Sequence, residues 1–370
     1  MRFGFINEGA MKMGTTYQTR YHEIIDEAVY AEEMGFDFFG CSEQHFLNNA
    51  GVSSTEVFYG ALSQATSRIQ IRSMVRLLLA FNHPMRIAEQ AATIDILSNG
   101  RHGLGTGRAN LPYQLDAFEV DADETRAMWE ESMQVIVKAF TQETVTHKGH
   151  YWNIKDPVHL TPKPMQYPHP PLYVAATSIP TLERAGDMGI GAMTLDHLLG
   201  WEQVEKNAKA YKEHIANPSD PISSVINDSL ALLVLPAYCG ESDKEAKEWG
   251  GREALGFAKT LVKHFPVTAA RSESYKYFND VLKFEDRLND IDYFLETTPC
   301  LMVGSPDFFI KQIERVRDMG FDEIILRIDG GNMGHERLMR SIQLIGENVI
   351  PHFNNPQNVV RKILYEGGVP

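Results

Sequence analysis

Three segments of this chain share one pattern. EEMGFD (32–37), GDMGIG (186–191) and RDMGFDEI (317–324) each close a helix-patterned run on Met-Gly and reopen as an apolar, strand-like run. Glycine at that point suits the left-handed residue that ends many helices, and Gly100 closes a fourth helical run in the same way. Repetition of helix, glycine and strand is what repeated (βα) units produce. Strand-like runs occur at RFGFI (2–6), FDFFGC (36–41), IQIRSMV (69–75), HGLGTG (102–107), LYVAAT (172–177), GAMTLD (191–196), LALLVLPAYC (230–239) and EIILRI (323–328). Helical spacing falls between them, as at 21–35, 83–100, 178–189 and 305–320. Eight such units predict an α/β fold closed as a (β/α)8 TIM barrel. An open doubly wound sheet is the alternative, but its glycine-rich first turn is missing. INEGAM is not G-x-G-x-x-G, GLGTGR places its glycines at 103, 105 and 107, and no G-x-x-x-x-G-K-[ST] loop occurs.

Two connections exceed what a minimal barrel needs. Residues 109–171 follow the fourth strand and carry a helix at about 122–141, then an aromatic, proline-rich stretch. Residues 258–298 follow the seventh strand. Long connections inside a compact domain are usually lids or binding loops. With no linker in view, residues 1–370 are expected to form a single domain with these two insertions.

Composition narrows the function classes. A net charge of −14 argues against a nucleic-acid partner, which a basic stripe would have signalled. No apolar run approaches the roughly 20 residues needed to span a bilayer. The start, MRFGFINEGAMKMG, lacks signal-peptide features. Cys41, Cys239 and Cys300 are odd in number and widely spaced, which suits a reducing cytoplasm.

In such a barrel the active site is built where the strands end. That selects Asn7, then Ser42, Glu43, Gln44 and His45, then Val75 and Arg76. Gly107, Arg108, Ala109 and Asn110 follow, with Thr177 and Ser178, Asp196 and His197, Tyr238 and Cys239, and Arg327 to Gly331. Ser178-Ile179-Pro180-Thr181 reads either as a plain helix opening or as an anion site, where free N–H groups and the helix dipole converge. Arg108 is the natural second contact of such a site. His83-Pro84 reads as a helix start, and His147 and His150 as water-facing residues. With no H-x-H, H-E-x-x-H or carboxylate cluster in the sequence, no metal is expected. Phe46, Phe81, Tyr113, Trp152 and Phe265 are candidates for an apolar pocket or for plain packing.

These motifs, in this order, resemble the bacterial luciferase-like flavin-dependent monooxygenases over about residues 1–355. The resemblance rests on RFGFI, MGFDFFGCSEQHF (34–46), FNHPMRIAEQAATIDILSNGRHGLGTGR (81–108), DAFEVDADETRAMWEESMQVI (116–136), PHPPLYVAATSIPTLERAGDMGIG (168–191) and VGSPDFFIKQIERVRDMGFDEIIL (303–326). It implies FMN at the barrel rim, reduced by a separate NAD(P)H:flavin reductase. Its reaction with O2 would give a C4a-peroxyflavin that oxygenates a small organic substrate. Arg108 and Arg126 match residues that contact the FMN phosphate. Ser178 and Thr181 match hydroxyls at the same phosphate, and Thr177 matches a position whose backbone meets the cofactor. Val75-Arg76 matches a non-proline cis peptide beneath the flavin ring. The 258–298 insertion corresponds to a mobile lid, and relatives usually form dimers.

Two positions depart from the family pattern. Many members carry Glu-His-His after the second strand, and here Gln44 stands where the first His acts as acid or base. Gln cannot titrate, so His45, flanked by Glu43, becomes the expected proton handler, with Asp196 and His197 as alternatives. Gly107 is smaller than its counterpart in some relatives, which suggests extra room for substrate. Two other readings stay open. One is a deazaflavin (F420)-dependent oxidoreductase of the same fold, whose cofactor carries a long acidic tail. The other is a non-catalytic flavin-binding subunit.

Overall fold

The computed structural model describes residues 1–48, 51–109, 111–328 and 333–354. Asn110 and the positions from Asp329 to Gly331, singled out above as rim residues, lie outside these. Eight parallel strands close into a barrel: β1 (Arg2–Asn7), β2 (Phe38–Cys41), β3 (Gln70–Arg72), β4 (His102–Gly107), β5 (Leu172–Ala175), β6 (Gly191–Thr194), β7 (Leu230–Val234) and β8 (Glu323–Arg327). Each pairs with its sequence neighbours, and β8 closes onto β1 with Arg2 opposite Glu323 and Ile6 opposite Arg327. The sequence expectation of a (β/α)8 barrel holds. Toward the N-terminal end of the barrel the Arg72 guanidinium lies between the rings of Phe38 and Tyr173, 3.7 and 3.9 Å from their centroids, and pairs with Glu323. Side chains fill that end, which leaves the other rim as the place to look for a site.

The Met-Gly units do end helices. After Tyr17–Glu33, Phe36 N–H donates to Ala31 and Gly35 N–H to Glu32, with Gly35 at φ +89°. After Ile179–Asp187, Ile190 donates to Ala185 and Gly189 to Gly186, with Gly189 at φ +72°. These crossed bonds satisfy the last carbonyls and need a left-handed residue. The helix Pro84–Leu97 differs: Asn99, not Gly100, takes that place at φ +60°, a conformation that Asn tolerates.

Two strands are shorter than expected. The 230–239 run breaks at the cis Leu235–Pro236 bond. Beyond it, Ala237–Cys239 pairs with Met302–Gly304 in a separate two-stranded sheet. Pro236 has no N–H to give a ladder, so β7 ends at Val234 and Tyr238 and Cys239 leave the rim. The 69–75 run stops at Arg72 and resumes as Arg76–Leu77, with a cis Met74–Val75 bond between. The cis bond therefore precedes Val75 rather than following it.

The insertions are more ordered than a loop reading suggests. After β4 come helices Pro112–Ala117 and Thr125–Thr141, then an antiparallel hairpin of Val145–Lys148 and Asn153–Val158. The segment after β7 starts as a 27-residue helix, Asp243–Ala269, and continues as 3-10 turns over Glu273–Arg287 and a helix at Ile291–Thr297. Among the described residues no helix is long and apolar enough to cross a membrane.

Candidate active site

The end of β2 carries a buried carboxylate with every lone pair engaged. Glu43 Oε1 accepts from His45 Nε2 (2.9 Å) and Asn82 Nδ2 (2.9 Å). Oε2 accepts from Leu77 N–H (3.0 Å) and lies 3.2 Å from Arg76 Nη1. Burial alone would raise this acid, but the His45 bond, the Arg76 charge and the donors from Leu77 and Asn82 outweigh it and hold its pKa below the usual carboxylate value. Glu43 is thus an ionised anchor that fixes the imidazole. With Nε2–H directed to the carboxylate, Nδ1 is the ring atom left to handle a proton. Phe81 and Phe118 stand edge-on to the ring at 5.7 and 5.0 Å. Phe46 lies beside it at φ +63° and is 59% exposed.

Gln44 does not join this pair. Its Oε1 accepts from Gln114 Nε2 at 3.3 Å, and the same donor lies 3.3 Å from the His45 carbonyl. Arg76 is buried and turned into structure, bonding Thr55 Oγ1 and Glu56 at 2.8 Å each. Val75 packs where a larger residue 107 would lie: a Cβ added to Gly107 would sit 2.6 Å from Val75 Cγ2. The expected extra room at Gly107 is therefore filled.

A second cluster forms where β5 gives way to the helix Ile179–Asp187. Ser178 is its N-cap residue, yet its hydroxyl caps no backbone N–H and instead lies 2.9 Å from Thr181 Oγ1. Arg126 Nη2 donates to the same Thr181 oxygen at 3.3 Å. Arg108 Nη1 reaches Thr125 Oγ1 at 3.4 Å, and its guanidinium faces the ring of Tyr275. Burial, then the nearby Arg108 charge, lowers the Arg126 pKa. No carboxylate lies within 4.0 Å of either guanidinium among the described residues, although Arg184 beside them pairs with Glu130 and Asp220. Two adjacent arginines without a carboxylate partner and two hydroxyls at a helix N-terminus make a candidate anion cradle.

The cradle opens into a cavity of about 680 Å3 lined by Thr177, Ser178, Leu195 and His197 on the barrel side and by Ser272, Tyr277 and Asp280 on the other. Tyr277 Oη bonds Thr177 Oγ1 at 2.8 Å, and Tyr275 Oη donates to the Ala109 carbonyl at 2.9 Å. Both tyrosines escaped the sequence reading, because only the fold brings YKYF to the rim; Asn82 escaped it too, although FNHP was in view.

Other candidates are structural. Asp196 accepts from Gly200 N–H (2.8 Å) and Cys300 N–H (3.0 Å), which removes it as a free base. Asn7 is bonded to Glu27 and Gly9. His83 is an N-cap whose Nδ1 accepts from Met85 N–H at 3.2 Å. His147, expected in water, is buried against Glu131 and Lys138; His150 is exposed. Trp152 is buried and donates to Ser132, and Phe265 stacks on Phe278. Tyr113 Oη is buried without a partner among the described residues.

The chain that folds this barrel is matched over residues 1–323 by the model of one family, described as luciferase-like monooxygenase. The chain belongs to that family. This luciferase-like chain is 24% identical to the flavin-dependent trigonelline monooxygenase, oxygenase component, of Acinetobacter baylyi, over 96% of each chain. It is 23% identical to an F420-dependent glucose-6-phosphate dehydrogenase of Microbacterium testaceum, over 95% of this chain and 97% of the other. The monooxygenase RslO1 of Streptomyces bottropensis superposes with a TM-score of 0.77 at 26% identity, covering 96% of this chain and all of that one. Membership makes the luciferase-like chain an oxidoreductase-type barrel; relatives divide between flavin and F420.

Proposed function

We propose that the chain is the oxygenase of a two-component monooxygenase, which binds reduced FMN delivered by a separate NAD(P)H:flavin reductase and uses O2 to oxygenate a small organic substrate. The observation that carries this reading is the pair of carboxylate-free arginines, Arg108 and Arg126, beside Ser178 and Thr181. Those residues suit a phosphate monoester, and Thr177 and Gly107 are the neighbouring positions proposed to meet the rest of the cofactor. Reduced FMN, when bound there, supplies the two electrons that let one O2 atom enter the substrate while the other leaves as water. The protein's own part is local. Glu43 orients His45, whose Nδ1 takes or returns a proton at the substrate, and Gln44 offers an amide for hydrogen bonding. The 273–287 segment covers the cavity and excludes water. Dimerisation, expected from the family, and a cytoplasmic setting, expected from the cysteines, belong to the same proposal.

The deazaflavin reading is weighed by charge. Beyond Arg126 the acidic side chains on the cavity wall are Asp123, Asp196, Glu273 and Asp280, and no further Lys or Arg lines it. An oligoanionic tail leaving the cradle would meet carboxylates, whereas FMN ends at its phosphate. The non-catalytic reading drew on Gln44, yet the Glu43–His45 pair forms without that position. The test is O2 consumption and product formation with FMN and a flavin reductase across a substrate panel, with Arg108→Ala as control. Substrate-dependent turnover that falls at least tenfold in Arg108→Ala is expected. Turnover with F420, or equal activity in the two proteins, would refute the proposal.

A further inference from the structure

His197 leaves β6 with φ +47°, and Leu198 follows at +70°. Left-handed backbone is rare for residues other than glycine, and two in succession must be held by their surroundings. Asp196 holds them, with one oxygen on Gly200 N–H and the other on Cys300 N–H. The turn places the imidazole on the wall of the cavity that Arg126, Thr177 and Ser178 also line. His197 is only 5% exposed, with Phe265 and Phe278 edge-on at 5.0 and 5.3 Å and Tyr277 at 6.2 Å. Burial pushes its pKa down to about 3, so the ring is neutral, with one N–H donor and one lone pair. Among the described residues neither nitrogen has a hydrogen-bond partner. Neither nitrogen is fully enclosed by protein, so both are open to a ligand in the cavity.

We propose that His197 is a cofactor contact that hydrogen-bonds hydroxyls of the polyol chain joining the flavin phosphate to its ring. This rests on the reading of the cradle as the phosphate site. Arg126 and Ser178 of the cradle line the same cavity as His197, so a phosphate ester seated against those two has its next atoms in the space His197 lines. A polyol offers donors and acceptors together, which matches a neutral imidazole; a hydrocarbon would leave both nitrogens unpaired. Neighbouring groups are committed elsewhere, Asp196 to two backbone N–H groups and the Thr177 hydroxyl to Tyr277.

The test is fluorescence titration of the full-length protein with FMN, riboflavin and lumiflavin, which has the ring but no chain. His197→Phe is expected to weaken FMN and riboflavin alike, by roughly tenfold, and to leave lumiflavin unchanged. Arg126→Ala should weaken FMN alone. Unchanged FMN and riboflavin affinity in His197→Phe overturns the inference. FMN affinity indifferent to Arg126→Ala instead overturns the cradle reading beneath it. Should His197→Phe fail to fold, His197→Asn, which accepts left-handed backbone and keeps a donor and an acceptor, is expected to retain most of the affinity. In the unaltered protein the His197 ring 15N signals should move on adding riboflavin but not lumiflavin, and signals that stay still with both would sink the idea.

Discussion

Tyr277 Oη and Thr177 Oγ1 meet at 2.8 Å, joining the segment after β7 to the end of β5 across 100 residues of sequence. The tyrosine is partly buried, and burial pushes its pKa up to about 12, so the phenol stays protonated throughout the working range. A neutral hydrogen bond of this kind contributes about 1 kcal/mol. Tyr277→Phe should therefore raise the open fraction of the cover by about fivefold. Amide hydrogen exchange over residues 273–287 measures this, and unchanged protection would mean the contact does not hold the cover.

Glu43 carries a pH signature. Its folded pKa is lowered, so the stability it contributes is complete above the unfolded value of about 4.5 and is lost as pH falls through the lower folded value. Melting temperatures from pH 7 down to pH 3 should fall more steeply for the unaltered protein than for Glu43→Gln. In activity, Glu43→Gln leaves His45 without its anionic anchor, and turnover should drop by roughly a hundredfold or more. Parallel melting curves for the two proteins would count against the ionised anchor.

His45 and Gln44 divide the remaining work. His45→Gln should lower kcat by at least about a hundredfold if Nδ1 handles the proton. Gln44→His breaks the amide contact to Gln114 and adds a titrating group, so the pH–rate profile should gain a new limb. A Gln44→His enzyme with unchanged rate and profile would show that residue 44 has no part in the chemistry.

Gly107 tests packing rather than catalysis. A Cβ there would lie 2.6 Å from Val75 Cγ2, so Gly107→Ala forces one of them to move. Overpacking of this kind costs about 1–3 kcal/mol, read by urea unfolding. A pairing with Val75→Ala should recover much of that loss, as expected of side chains in contact.

How far the sequence carries the fold depends on the range of the signal. The eight strands and the Met-Gly helix ends are local patterns, and the structure keeps them. The anion cradle was legible in the same way, because Ser178-Ile179-Pro180 is a local helix opening and Arg108 leaves a strand whose end is fixed by the barrel. The hairpin at 145–158 was not, since Asn153–Val158 is largely exposed and shows no inward alternation. Pro236 did carry a warning that the seventh strand stops early. Tyr275, Tyr277 and the Glu43–Asn82 bond depend on contacts made 39 to 166 residues apart, which no local period encodes. His147, on the first hairpin strand, was misplaced for a similar reason: its burial comes from Glu131 on the preceding helix, 16 residues away.

The two bonds of Asp196 have a mechanical side. Gly200 follows β6, whereas Cys300 lies just downstream of the segment that covers the cavity. The excursion from the barrel is therefore moored at its far foot, while its near foot is the end of a 27-residue helix. Any motion of the proposed cover is expected to stay within the span between these two posts. A loosened mooring would be felt at the turn that aims His197 as well as at the cover.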